Sequence, residues 1–150
     1  MQTMHDQATT LNHLINICRD GQKGFDAAAQ SIKDAALRAE LIQYSQQRQN
    51  FARELQAMVD DCGEAPQEGG TVSGAMHRGW MKLKEAIASN DRYAVLAECE
   101  RGEDSAIEAY RDAIAMDLSA PAAVLVETQY QQIDRVHDRI RALRDAARPM

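Results

Sequence analysis

Leu96-Ala-Glu-Cys99-Glu100-Arg-Gly102-Glu103-Asp-Ser-Ala106-Ile-Glu-Ala-Tyr110 is the stretch on which the fold turns. Leu96, Cys99, Glu103, Ala106, Tyr110 and Ala113 recur at alternating steps of three and four, the spacing that lines side chains along one face of an α-helix. That stripe is apolar except at Glu103. A carboxylate inside a buried stripe needs a partner, because an isolated charge taken out of water costs several kcal/mol. The nature of the partner decides whether this helix belongs to a metal centre or to a structural ion pair.

The rest of the chain is built to match such a helix. Its 150 residues are 45% hydrophobic and 27% charged but only 5% aromatic. This balance suits one soluble all-α domain spanning 1–150 rather than a sheet made of aromatic and β-branched strands. A net charge of -6 argues against a nucleic-acid partner, which calls for a clustered basic face. No apolar run approaches the roughly 20 residues needed to span a bilayer. The opening Met1-Gln-Thr-Met-His5-Asp6 lacks the basic and apolar regions of a signal peptide, so a cytoplasmic protein is expected. Cys18, Cys62 and Cys99 make an odd count without CxxC spacing, suggesting neither a disulfide framework nor a zinc motif.

Working outward, the spacing predicts a first helix from a cap at Thr9 or Thr10 to about Ile32, with Leu11, Leu14, Cys18, Gly21, Phe25, Ala28 and Ile32 on its seam. Asp34 is placed to cap a second helix reaching Cys62, whose seam reads Leu37, Leu41, Tyr44, Arg48, Phe51, Leu55, Met58 and Cys62. The short connection implies an antiparallel hairpin. Gly63-Glu-Ala-Pro66-Gln-Glu-Gly69-Gly70 reads as a loop. Thr71 or Ser73 can then cap a shorter crossover helix over about 73–89, with Met76, Trp80, Leu83 and Ile87 on one face and Trp80 as its anchor; His77 beside it is a surface residue rather than a ligand. The central helix runs over about 91–116. After a stop at Asp117-Leu-Ser119-Ala-Pro121, a last helix capped by Ser119 continues to about Ala146. Its apolar face is Val126, Ile133, Val136, Ile140 and Leu143, with Gln129 in register and Tyr130, Asp134 and His137 on one flank. Arg139, Arg141, Arg144 and Arg148 suit the negative end of that helix dipole.

Cys18-Arg-Asp-Gly21 resembles Cys99-Glu-Arg-Gly102, and Gln43-Tyr44-Ser-Gln46-Gln47 resembles Gln129-Tyr130-Gln-Gln132 in the same order. These matches suggest two related hairpins, with Gly21 and Gly102 facing each other where the first and fourth helices approach. A glycine inside a helix costs up to about 1 kcal/mol against alanine, so Gly21 and Gly24 imply close approach of a neighbour.

A dinuclear metal bundle needs a Glu on each of two helices and a Glu-x-x-His on each of the other two. Glu103, with Glu100 one turn earlier, and Asp134-Arg-Val-His137 meet that demand in part. The second helix, however, offers Arg48-Gln-Asn-Phe51, and neither a cation nor a phenyl ring ligates a metal. The expectation is therefore a buried Arg48–Glu103 pair, with Tyr44, Gln129, Tyr130 and His137 satisfying the remaining polar groups. No cofactor follows from it. The alternative is an iron or manganese site at Glu100, Glu103, Asp134 and His137. Cys18 and Cys99, both on seams, are expected to be inert thiols rather than a redox sensor.

Cys99-Glu-Arg-Gly-Glu-Asp104 with Tyr110, Ala75-Met-His77-Arg-Gly-Trp80, and His137-Asp-Arg-Ile-Arg-Ala-Leu-Arg-Asp145 resemble the proteobacterial PA2169-type four-helix-bundle family, a domain of unknown function in the ferritin-like superfamily. The resemblance runs from Leu11 to Asp145 and implies a ferritin-like bundle of two antiparallel hairpins joined by a crossover helix. Only Glu103, Asp134 and His137 match the superfamily's ligand pattern. Arg48 and Phe51 point to a non-catalytic bundle, for which family analogy implies a stress-related role, with a ferritin-like metal-binding protein or di-metal oxidoreductase as the alternative. A homo-oligomer using Trp80 or Tyr93 is compatible with either.

Overall fold

The computed structural model describes residues 4–63 and 74–149. They form five helices: α1 (Met4–Ser31), α2 (Ala35–Asp61), α3 (Gly74–Ala88), α4 (Arg92–Ile114) and α5 (Ala120–Ala146). The architecture is all-α, a ferritin-like four-helix bundle plus a crossover helix. Most of the expected Gly63–Gly70 loop and the caps at Thr71 or Ser73 lie outside the described residues, as does the side chain of Met76.

Side-chain caps explain the starts of α2 and α4. Asp34 caps α2 as its position predicts, its carboxylate accepting from the backbone N–H groups of Ala36 at 2.9 Å and Leu37 at 3.1 Å. Asp91 does the same for α4 through Ala94 N–H at 3.3 Å. The first helix departs from expectation, being already helical at Met4. Thr9 and Thr10 do not cap it; their hydroxyls donate to the carbonyls of His5 and Asp6 one turn back, each at 3.1 Å. Ser119 occupies the cap position of α5 without a side-chain cap bond. Its backbone N–H instead donates to Gln7 Oε1 at 2.6 Å, tying the start of α5 to the start of α1.

α1 packs chiefly on α2, and α4 on α5, giving the two hairpins. They meet mainly through α1 and α4, with α3 lying chiefly against α4, while α2 touches α5, and α3 touches α1, only slightly. The apolar seams form two clusters along the bundle. One gathers Leu11, Leu14, Cys18, Phe51, Leu55, Tyr110 and Ile133; the other gathers Phe25, Ile32, Leu41, Leu83, Cys99, Val136 and Ile140. The changeover falls between Cys18 and Phe25 in α1, Leu41 and Phe51 in α2, and Cys99 and Ala106 in α4. Arg48 and Glu103 stand within those gaps, so the bundle has a polar waist between two apolar halves.

Two expectations about this packing are corrected. Trp80 does not anchor α3, for it remains 36% exposed beneath the Lys84 ammonium, 5.3 Å from its ring, and Leu83 and Ala86 make the buried contact instead. Gly21 and Gly102 do not face each other. A Cβ at Gly102, on the exposed side of α4, would meet nothing within 4 Å. One at Gly21 would approach Arg48 Nη1 to 3.3 Å and its Cγ to 3.4 Å, so Gly21 makes room for a side chain of α2. Gly24 opens toward Leu83 of α3, whose methyl would lie 3.8 Å from an added Cβ.

Candidate functional site

Arg48 is the largest fully buried side chain, at 1% exposure, and it lies opposite Glu103 at 2%. Arg48 Nη1 donates to Glu103 Oε1 at 2.6 Å and Nη2 to Oε2 at 2.5 Å, a two-pronged pairing in which the planar guanidinium matches the planar carboxylate. Nε donates to Gln47 Oε1 at 3.3 Å, and the guanidinium carbon lies 5.3 Å from the centre of the Phe25 ring. Burial by itself lowers the Arg48 pKa, but the charge and hydrogen bonds of Glu103 outweigh it and the guanidinium titrates above its ordinary value. It is a permanent internal cation.

A second buried chain of hydrogen bonds runs beside the pair. Tyr110 Oη donates to Gln129 Oε1 at 2.7 Å, and Gln129 Nε2 donates to the Phe51 carbonyl and to Glu54 Oε1, both at 3.3 Å. With its proton committed to Gln129, the Tyr110 hydroxyl accepts from the Cys18 thiol at 3.1 Å. Burial pushes the Cys18 thiol up to about 11 and the Cys99 thiol up to about 12, and raises the Tyr110 phenol well above its usual range. Protonated, buried thiols are poor nucleophiles.

The structure therefore brings Arg48 and Glu103 together and places Gln129 nearby in the core, but it scatters the other residues expected around them. Tyr44 sits at the edge of α2, its hydroxyl donating to Glu40, which Arg139 of α5 also holds at 2.8 and 3.1 Å. Tyr130 accepts from Arg111 Nε at 3.0 Å on the outer side of the α4–α5 hairpin. His137 turns to α4, where Nε2 lies 2.6 Å from Asp104 Oδ1 and 4.0 Å from Glu100 Oε1. The flank of a helix can face either adjoining neighbour, and for these three residues it is not the waist.

The alternative ligand set is rearranged in the same way. Glu103 has both oxygens engaged by Arg48, and half-buried Asp134 is not grouped with the others. Among the described residues, Glu100, Asp104 and His137 are the one group of at least three potential ligands, their donor atoms within 4.8 Å of one another. The α4 pattern gives no sign of Asp104, which is solvent-exposed and gains its partner only from the packing of α5. The arginines of α5 do more than face the helix dipole: Arg144 Nη1 pairs with Glu100 Oε2 and Arg141 Nε donates to Glu100 Oε1 at 3.3 Å. Buried Glu100 is thus held from α5 by two cations.

Residues 6–116 match the domain family described as "Domain of unknown function (DUF2383)". The chain belongs to that family. DUF2383 is a ferritin-like four-helix-bundle family related to PA2169-type proteins, in agreement with the resemblance carried by the helix of Glu103. No curated protein matches the chain. The DUF2383 match takes in Arg48, Glu100, Glu103 and Asp104 and ends before α5, which carries Gln129 and His137.

A dinuclear centre of the ferritin type does not fit this DUF2383 chain. Its waist holds a guanidinium where α2 would have to supply a carboxylate, and the one carboxylate facing it has both oxygens occupied. What remains is an incomplete, three-residue cluster at the α4–α5 seam, and the metal site is degenerate.

Proposed function

We propose that this DUF2383 protein is a non-catalytic helical bundle whose internal ion pair stands in the place of a ferritin-type metal centre. On this reading the whole chain acts as one domain in the cytoplasm, in a stress-related role, through its surface or through self-association. The observation that carries it is Arg48. A fixed cation at the waist supplies charge neutralisation and cross-links the two hairpins, which are the structural services a metal would render, but it offers no exchangeable coordination position and no redox change. The side chains around it are equally closed to chemistry. Tyr110 and Cys18 are held protonated by burial, and Gln129 is committed to Tyr110, Phe51 and Glu54.

The test is metal analysis and ferrous-iron oxidation with untagged protein purified without chelator, alongside Glu103→Gln. The expected result is no dinuclear iron or manganese and no catalysed oxidation in either protein. About two ions per chain, lost in Glu103→Gln, would overturn the reading. Light scattering across a concentration series tests the self-association arm.

A further inference from the structure

Glu100 and Asp104 stand one turn apart on α4, and His137 reaches them from α5. Glu100 and His137 are each 6% exposed, whereas the Asp104 side chain is 62% exposed, so the cluster is a buried corner with one open side. Its hydrogen-bonding arithmetic is unusual. His137 Nδ1 faces Asp138 Oδ1 at 3.4 Å, while Nε2 faces Asp104 Oδ1 at 2.6 Å and Glu100 Oε1 at 4.0 Å. Both ring nitrogens therefore look at carboxylates. The short Nε2–Asp104 contact is a hydrogen bond, and a metal ion that takes the place of its proton would meet the imidazole nitrogen and both carboxylates at one point.

We propose that Glu100, Asp104 and His137 bind a single divalent transition-metal ion of the zinc type at the α4–α5 seam, separate from the waist that Arg48 closes. One imidazole nitrogen and two carboxylate oxygens are a donor set that Zn2+ accepts, and the exposed side leaves a fourth position for water. The spacing is close to what such an ion needs. Ligand atoms at 2.0–2.1 Å in tetrahedral array lie about 3.3 Å apart. The separations of 2.6 and 4.0 Å from His137 Nε2 lie on either side of that value. Binding thus asks exposed Asp104 to step back and Glu100 Oε1 to come forward. Arg141, now on Glu100 Oε1 and itself 54% exposed, would swing into solvent; Arg144 can stay on Oε2 and orient the carboxylate from behind. Asp138 plays the corresponding part for the imidazole.

The proposal is independent of the non-catalytic reading and is tested on chelator-stripped, untagged full-length protein by calorimetric titration with ZnCl2 and by the visible absorption of bound Co2+. One ion per chain is expected. Asp104→Asn, whose exposed side chain can change without disturbing the fold, and His137→Gln should each weaken binding at least tenfold. Asp138→Asn should weaken it by about tenfold while leaving the stoichiometry unchanged. Glu103→Gln should bind as the parent does, and loss of the ion there would overturn the separation from the waist. Circular dichroism confirms that each variant is folded. Absence of Zn2+ binding by the parent protein, or binding undiminished in both Asp104→Asn and His137→Gln, would overturn the site itself.

Discussion

Replacing Arg48 with methionine keeps much of the side-chain stem and removes the charge. Glu103, at 2% exposure, is then an anion in the core with neither of its bonds at 2.5 and 2.6 Å. Removing one partner of such a pair costs about 3–5 kcal/mol. Set against the 5–15 kcal/mol that typically holds a domain together, that is about a fifth of the total or more. At roughly 2–4 °C per kcal/mol for a chain of this size, Tm should fall by about 6–20 °C. The pair differs from the sum of its members, because desolvating two charges offsets much of their attraction. Arg48→Met/Glu103→Leu should therefore recover most of the loss and finish within about 1 kcal/mol of the parent or above it. The cycle yields a coupling energy of at least about 2 kcal/mol. Equilibrium urea unfolding followed by circular dichroism, at fixed protein concentration and with m-values compared, measures all four proteins. An Arg48→Met variant within about 1 kcal/mol of the parent, or a double variant as unstable as the two singles added, would refute the reasoning.

Three further outcomes follow from the same geometry. Gly102→Ala should stabilise α4 by about 0.5–1 kcal/mol, since its Cβ enters open space, whereas Gly21→Ala should lose that gain or destabilise because Arg48, gripped by Glu103, cannot retreat; chemical denaturation of both variants gives the comparison. Native protein should expose one fast-reacting thiol, half-buried Cys62, while Cys18 and Cys99 label only on unfolding; rapid labelling of Cys18 or Cys99 would contradict their burial. The bonds from Arg139, opposed by burial and aided by Tyr44, hold the Glu40 carboxyl below its ordinary 4.5. Because the folded value is depressed, the stabilisation is complete above 4.5 and disappears as the pH falls through the lower folded value. Glu40→Gln should accordingly lower Tm at neutral pH, with the difference closing toward the acid end of a pH series.

A bundle of this kind can be closed at its waist in two ways. A dinuclear centre draws carboxylates inward from four helices; here one guanidinium and one carboxylate perform the cross-linking, and Gly21 supplies the space the guanidinium occupies. Further ion pairs tie α5 to its neighbours away from the waist. Glu40 with Arg139, and Glu100 with Arg141, Arg144 and His137, join α5 to the two helices on either side of it.

The helices, their inward faces and the Arg48–Glu103 pair were legible in the chain itself. Helical periodicity is local, and a charge at the centre of an apolar stripe must be buried wherever the helix packs. Leu96, Cys99, Ala106, Tyr110 and Ala113 left Glu103 no route to water, and the seam of Leu41, Phe51 and Leu55 did the same to Arg48. Residues on the margins of those stripes were a different matter. Whether Tyr44 turns to Arg48 or Glu40, whether His137 meets the waist or Asp104, and whether Gly102 faces a helix or solvent depend on how each helix is rotated and crossed against its neighbours. A rotation of a few tens of degrees exchanges one partner for another without altering the periodic pattern. Sequence thus determined which side chains go inside and that the central acid required a cation, whereas the partners of the boundary residues, and with them the Glu100–Asp104–His137 cluster, were decided only when α4 and α5 packed together.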